Sequence, residues 1–308
     1  MAISMGSSIQ TIRFAAFIMT YERAHLIEDT VQQIRKQSMP PQKILIVDNS
    51  NTMQTERWFN EFPEKDGLEY YRVGRNVGPA GAAKIGLERL VQEEFDWIYW
   101  GDDDDPPFFS DTFEVLLRMA IELPNVGCVG AVGHWFNPKT GLIQRVPDDV
   151  LNGTQPIEVH NIAGNMSKLI NADVVRIGNV LPDESLFFGL EELDYDLKLS
   201  KAGYKLYCDP SHYLRYRVES GRLGIQPKRG LKKENSRLQR EYYSIRNGLV
   251  ILAKNRHYPA IAFQLLRILY KIAQGYRFGY RYGNKQSKFL FKAITHFISG
   301  KSGKYIFD

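Results

Sequence analysis

Short apolar runs alternate with stretches of helical spacing over the first 130 or so residues. Residues 14–19 and 43–47 are apolar runs that predict strands. Between them, residues 24–37 place Leu26, Val31 and Ile34 at helical intervals. The alternation continues with a helix-like stretch near 52–61, a strand over 68–73, a helix over about 79–94 and a strand over 96–100. A helix near 111–123 then leads into a strand over 126–132. Strands alternating with helices predict βαβ units and a mostly parallel sheet. In such sheets ligands sit at the carboxyl ends of the strands, beside a topological switch point. Thr20, Asp48, Asn76 and Asp102 each come just after a predicted strand.

Beyond this region the pattern changes. Residues 134–160, with several Gly, Pro and Asn, read as loops or a hairpin. Residues 160–217 read as mixed strand and helix, with an amphipathic helix over 191–201. Residues 219–233 hold three Gly and five Lys or Arg and predict a mobile basic loop. From Glu234 onward the pattern is helical, with aromatic and basic residues interleaved.

Charge sharpens this division. The chain of 308 residues carries a net +5, but residues 1–204 balance at −12 and residues 205–308 at +17. An acidic body joined to a basic tail points to a polyanion or an anionic membrane surface near the tail. With 44% hydrophobic residues the chain can bury a sizeable core, which excludes wholesale disorder. Its two cysteines, Cys128 and Cys208, set no disulfide framework, so a reducing, cytoplasmic compartment is expected. No secretory signal and no uninterrupted apolar run of 18 residues is evident, so a spanning helix is not expected.

Three segments carry candidate chemistry. Gly101-Asp102-Asp103-Asp104-Asp105-Pro106-Pro107 places four carboxylates on a strand-to-loop turn, where their mutual repulsion calls for a counter-charge. Mg²⁺ or Mn²⁺, which take hard oxygen ligands and bridge to phosphates, suits them. Gly74-Arg75-Asn76-Val77-Gly78-Pro79-Ala80-Gly81 sets small residues before a helix, where backbone can approach an anion. Close helix–sheet packing explains the same residues equally well. Phe187-Phe188-Gly189-Leu190-Glu191-Glu192 puts carboxylates at a helix start beside an aromatic wall, either as a general base or as an acidic first turn suited to the helix dipole.

In this order, over roughly residues 12–250, the segments resemble the family-2 inverting glycosyltransferases with the GT-A fold. Thr20-Tyr21-Glu22-Arg23 looks like the turn after the first strand that touches the nucleotide. Val47-Asp48-Asn49-Ser50 is similar to the turn whose Asp reads the pyrimidine ring. Asn76, Gly78, Ala80 and Gly81 match the family's Asn-x-Gly-x-Ala-Gly segment, and the acidic run matches its metal motif. The resemblance implies that Asp102 and Asp104 are metal ligands, Asp103 a donor contact and Glu192 the base with Glu191 beside it. It implies a nucleotide-sugar donor, a glycan or lipid-linked acceptor, and no nucleic-acid partner.

The implied domains are a catalytic unit over 1–218 with donor half 12–133 and acceptor half 134–218, the basic loop over 219–233, and a basic helical region over 234–308. Arg222 and Arg229 on the loop are expected to close over the diphosphate. Tyr242-Tyr243-x-x-Arg246-Asn247 resembles a pattern in rhamnosyl- and galactofuranosyltransferases, and the Glu-Glu pair leans toward the galactofuranosyl group. Many relatives place a metal-binding His six residues after the Pro matching Pro210, but Tyr216 stands there and His212 lies four residues earlier. Either His212 is a metal ligand through a register shift, or the aspartates, diphosphate and water hold the metal. Apolar and aromatic residues of the tail with basic flanks, among them Phe263, Leu265, Leu266, Ile268 and Leu269, suit an interfacial helix on the inner face of a membrane. Nucleotidyl transfer and RNA binding are the rival readings. The first lacks a Gly-rich basic loop after the first strand, and the second lacks any RNA-recognition signature.

Overall fold

The computed structural model describes residues 9–225, 232 and 234–307. Its first half runs β1 (Phe14–Thr20), α1 (Ala24–Arg35), β2 (Lys43–Asp48), α2 (Gln54–Glu61) and β3 (Leu68–Arg72). It continues through α3 (Gly78–Leu90), β4 (Trp97–Asp102), α4 (Thr112–Glu122) and β5 (Val126–Gly130). The hairpin β6 (His134–Asn137) and β7 (Leu142–Arg145) follows, then β8 (Ile157–Val159), β9 (Lys168–Asn171) and the short α5 (Asp173–Arg176). Next come α6 (Glu191–Lys201), β10 (Lys205–Cys208) and α7 (Pro210–Glu219). Three long helices close the chain: α8 (Asn235–Lys254), α9 (Tyr258–Tyr276) and α10 (Tyr280–Ile298).

Eight strands form one sheet in the order β3-β2-β1-β4-β9-β5-β10-β8. β9 pairs antiparallel with both β4 and β5, and β8 antiparallel with β10; the other pairs are parallel. The chain winds outward from β1 to β3, then crosses back to set β4 on the other side of β1. That reversal is the switch point, and there Met19 pairs with Asp102.

The strand pattern explains the layering. All seven residues of β1 are buried, as a central parallel strand covered on both faces requires. On one face Ile27, Val31 and Ile34 of α1 join Phe113 and Leu116 of α4; on the other α3 lies close, because Gly86 sits where a Cβ would meet the Phe17 ring at 2.5 Å. Residues 134–160 form the predicted hairpin and also supply β8, at the sheet edge. The stretch 210–219, read only as mixed structure, is the helix α7. Asp209 caps it by accepting from the His212 N–H, and Pro210 starts its first turn.

The tail helices pack on the body. Leu252 and Ala260 join Phe136 and Leu193, while Ile251 joins Ala80 and Leu186. Among the described residues no helix is long and apolar enough to cross a membrane.

Candidate active site

The carboxyl ends of β1, β2, β3 and β4 open onto a cleft of about 730 Å³. Thr20, Tyr21 and Arg23 line it from the β1 turn, Asn76 and Gly78 from the start of α3, and Asp102 and Asp104 from β4. Glu191 and Glu192 line the opposite wall, at the start of α6. Nine residues singled out in the sequence therefore share one cavity.

The acidic run divides by alternation. Asp102 and Asp104 face the cleft, whereas Asp103 turns away and is fully buried. Asp103 accepts from the Thr20 hydroxyl at 2.6 Å, and its backbone carbonyl accepts from Thr30 at 2.6 Å. Arg23 lies 2.5 Å from Asp103 Oδ1, off the line of a hydrogen bond, and pairs with Asp104. Asp103 thus holds the turn rather than lining the cleft. Burial pushes the Asp102 carboxyl up to about 7, with Glu192, Asp103 and Asp104 adding repulsion and Arg23 opposing it. Charge this poorly compensated fits a divalent cation held by Asp102 and Asp104. Among the described residues no group of three or more His, Cys, Asp or Glu could hold a metal ion.

The opposite wall is set by an unusual turn. Phe187 and Leu190 both have positive φ, 64° and 67°, and Leu190 stands in the N-cap position of α6. Non-glycine residues held there cost free energy, and such strain gathers at functional sites. Asn247 secures the turn by donating to the carbonyls of Leu186, Phe188 and Gly189 at 3.0, 2.9 and 2.8 Å. Glu192 accepts from the Gly164 N–H at 3.3 Å. Glu191 is buried, and burial together with Glu192 and Asp102 raises its pKa well above the usual carboxylate value.

The Gly164 loop rests on a buried network. Asp196 accepts from Asn161 Nδ2 at 3.0 Å and from the Ile162 N–H at 2.8 Å, and pairs with Lys168. Lys168 also donates to the Ile162 carbonyl at 2.9 Å. Burial raises Asp196 to about 6 even so, with Lys168 pulling the other way.

Several expected residues lie elsewhere. Asp48 is buried behind the cleft, accepting from the Ser50 N–H and the Tyr70 hydroxyl, each at 2.8 Å; its neighbour Asn49 reaches the cleft instead. Ala80 and Gly81 are buried within α3. Arg222 lies 5.6 Å from the Tyr216 ring, outside the cleft lining, and Arg229 falls outside the described residues.

His212 is not brought together with Asp102 and Asp104. It lines a separate cavity of about 10 Å³ with Asp105, Asn165 and Tyr216. Its offset of four residues from Tyr216 is one turn of α7, so both side chains share a face and enter the same cavity. His212 Nε2 is buried without a hydrogen-bond partner there, and burial lowers its pKa.

The sequence reading missed Asn49, Pro79, Phe187, Phe188 and Arg240 as cleft residues. Asn49 and Pro79 flank quoted motifs, and the two Phe were legible only as an aromatic wall. Nothing in the sequence separates Arg240 from the other basic residues of the tail.

The glycosyl transferase family 2 model matches residues 15–167, the span from β1 to the loop beneath Glu192. Residues 15–167 thus form a glycosyl transferase family 2 domain. Galactofuranosyltransferase GlfT1 of Mycolicibacterium smegmatis is 23% identical over 199 residues. That match covers 61% of this chain and 65% of the relative, less than two thirds of its length. In fold, the structure is similar to residues 1–349 of S. aureus TarS, with a TM-score of 0.51 and 15% identity over 96% of this chain and 94% of that one. It is also similar to the mannosyltransferase PcManGT from Pyrobaculum calidifontis in complex with GDP-Man and Mn²⁺, with a TM-score of 0.52 and 16% identity over 94% and 88%. The architecture is the GT-A fold with added C-terminal helices.

Proposed function

We propose that this protein is an inverting glycosyltransferase that moves a sugar from a nucleoside-diphosphate donor to an acceptor hydroxyl, with Glu192 as general base. The observation that carries the reading is the meeting of Asp102 and Asp104 with Glu192 in one cleft at the switch point. Thr20, Tyr21 and Asn76 bind the donor. Glu192, steadied by the Gly164 N–H, takes the acceptor's proton as its oxygen attacks the anomeric carbon and the bond to diphosphate breaks. Glu191 is buried beside that base, and burial, then the charges of Glu192 and Asp102, raises its pKa, so a second negative charge next to Glu192 is disfavoured. Asp102 and Asp104 would hold a divalent cation, Mn²⁺ or Mg²⁺, whose charge would stabilise the leaving diphosphate.

UDP-galactofuranose is the favoured donor and dTDP-rhamnose the next. The galactofuranosyltransferase relative and the Glu191-Glu192 pair support that order. The acceptor is a glycan or lipid-linked glycan of a cell-surface polysaccharide.

A cytoplasmic protein peripheral on an anionic inner leaflet fits the tail, and α9 is the element that supports it. Every exposed position of α9 is apolar or aromatic, Leu266, Leu269 and Tyr270 among them, at 67%, 54% and 65% exposure. Its polar side chains turn inward: Gln264 donates to the Thr140 carbonyl at 2.7 Å, and Lys271 pairs with Glu241 at 2.8 Å. Arg256, Arg277 and Arg281 are exposed at its two ends. Of the tail residues expected to face a membrane, Ile268 is buried and Leu265 half-buried against α8 and α10.

Calorimetric titration of UDP, dTDP, GDP and CDP, with and without Mn²⁺, tests the donor reading on wild type and on Asp102→Ala/Asp104→Ala. Metal-dependent binding of UDP or dTDP that the double variant loses is the expected result. No binding of any of the four by folded wild type overturns it.

A further inference from the structure

Arg240 is the cleft residue that no motif explains. Two cations line a cavity that also holds Asp102, Asp104, Glu191 and Glu192. One of them, Arg23, is engaged with Asp103 and Asp104. Arg240 is exposed and has no carboxylate partner among the described residues, whereas its neighbour Glu241 pairs with Lys271. A guanidinium that lines the same cleft as four carboxylates and pairs with none of them is available to an incoming anion.

Its placement is built. Arg240, Ser244 and Asn247 lie at helical spacing on one face of α8. Asn247 bonds the three carbonyls of the turn before Glu191, and Arg246 donates to the Leu186 carbonyl at 2.9 Å. Tyr243 packs on Phe187 and Phe188, with centroids 5.6 and 5.8 Å away. Two turns before Asn247, the Arg240 guanidinium lies 5.8 Å from the Phe188 ring centroid. The Tyr-Tyr-x-x-Arg-Asn segment thus anchors the helix to the wall carrying Glu192, and Arg240 projects from that anchor into the cleft.

We infer that Arg240 recognises a phosphate group of a substrate, so that the C-terminal helices complete the substrate site. This rests on the glycosyltransferase reading. The phosphate belongs either to the donor's diphosphate or to a phosphate-bearing lipid acceptor; both offer the planar fork of a guanidinium the same oxygens.

The test titrates uridine, UDP and, at saturating UDP, farnesyl phosphate into the full chain with Mn²⁺, for wild type, Arg240→Gln and Arg240→Lys. Losing a charge-assisted contact predicts a weakening of about tenfold or more in Arg240→Gln, partly recovered in Arg240→Lys. Weakened UDP with unchanged uridine assigns the donor diphosphate. Unchanged UDP with weakened farnesyl phosphate assigns the acceptor. Wild-type affinities for all three probes in Arg240→Gln overturn the inference while leaving the glycosyltransferase reading intact. Failure of wild type to bind UDP overturns both. Circular dichroism confirms that each variant is folded.

Discussion

Gly78 and Phe187 touch so closely that a Cβ on Gly78 would sit 2.1 Å from the Phe187 carbonyl oxygen. Gly78 also holds φ at +73°, and the Ala80 N–H donates to the same carbonyl at 3.3 Å. The start of α3 and the turn feeding Glu191 are therefore fixed against each other. Gly78→Ala has to break that contact and pay for a left-handed backbone, which predicts a loss of about 1–3 kcal/mol. Denaturant unfolding measures it, and a loss below the lower bound contradicts the contact.

Glu191 and Glu192 are neighbours with different surroundings, and their variants should differ. Glu192→Gln is expected to lower the transfer rate by a factor of about 10²–10⁴, the usual worth of a general base, with nucleotide affinity kept. Burial and the neighbouring Glu192 and Asp102 favour the neutral form of Glu191, which Glu191→Gln resembles, so its rate should stay close to wild type. Steady-state release of UDP from the donor compares them. An inverted order would move the base to Glu191.

Asp148 ties the start of the basic segment to the body. It pairs with Arg145 at 2.7 Å and with Arg217, and accepts from the Gly224 N–H at 2.9 Å. The Arg145 hydrogen bond, with the Gly224 N–H next, holds its carboxyl down at about 2. A depressed pKa contributes stability that is complete above the ordinary Asp value and disappears as pH falls through the folded one. The stability gap between wild type and Asp148→Asn should therefore be flat above about pH 4 and close toward pH 2. Unfolding curves of both proteins across that range check it; a gap that widens in acid contradicts the tether.

The outward face of α9 predicts lipid dependence. Wild type should sediment with vesicles containing phosphatidylglycerol and much less with phosphatidylcholine alone, and Leu266→Asp/Leu269→Asp should abolish the difference. A second copy of the chain is a poor occupant of this face. Residues 257–308 carry only one acidic residue, Asp308, so pairing two such surfaces sets like charges together. A stable dimer by light scattering, with no vesicle binding, contradicts the membrane assignment.

Much of the donor half was legible because its strands are continuous apolar runs that end in polar residues. β1, β2 and β4 come out within two residues of their observed ends, and Glu191–Lys201 is reproduced. What escaped depends on long-range placement. β9 enters antiparallel between β4 and β5, which four residues of local pattern do not encode. α7 hid because Arg217, only 2% exposed, replaces an apolar residue on its inner face and donates to the Val146 carbonyl at 2.7 Å. The orientation of α9 was hidden for the opposite reason. Its apolar residues cover more than one face, and the contacts of Ile268, Gln264 and Lys271 settle which side turns inward.

The bonds from Asn247 to the turn at 186–189 also govern how the gene can be cut. A boundary after residue 218, natural by charge and composition, would strip the Asn247 amide from three backbone carbonyls of the turn before Glu191 and uncover Leu186 and Leu193. Fragments ending there should express as aggregates rather than as a small active enzyme. Swapping tails between relatives should succeed only when the Arg-Asn pair travels with the turn it grips.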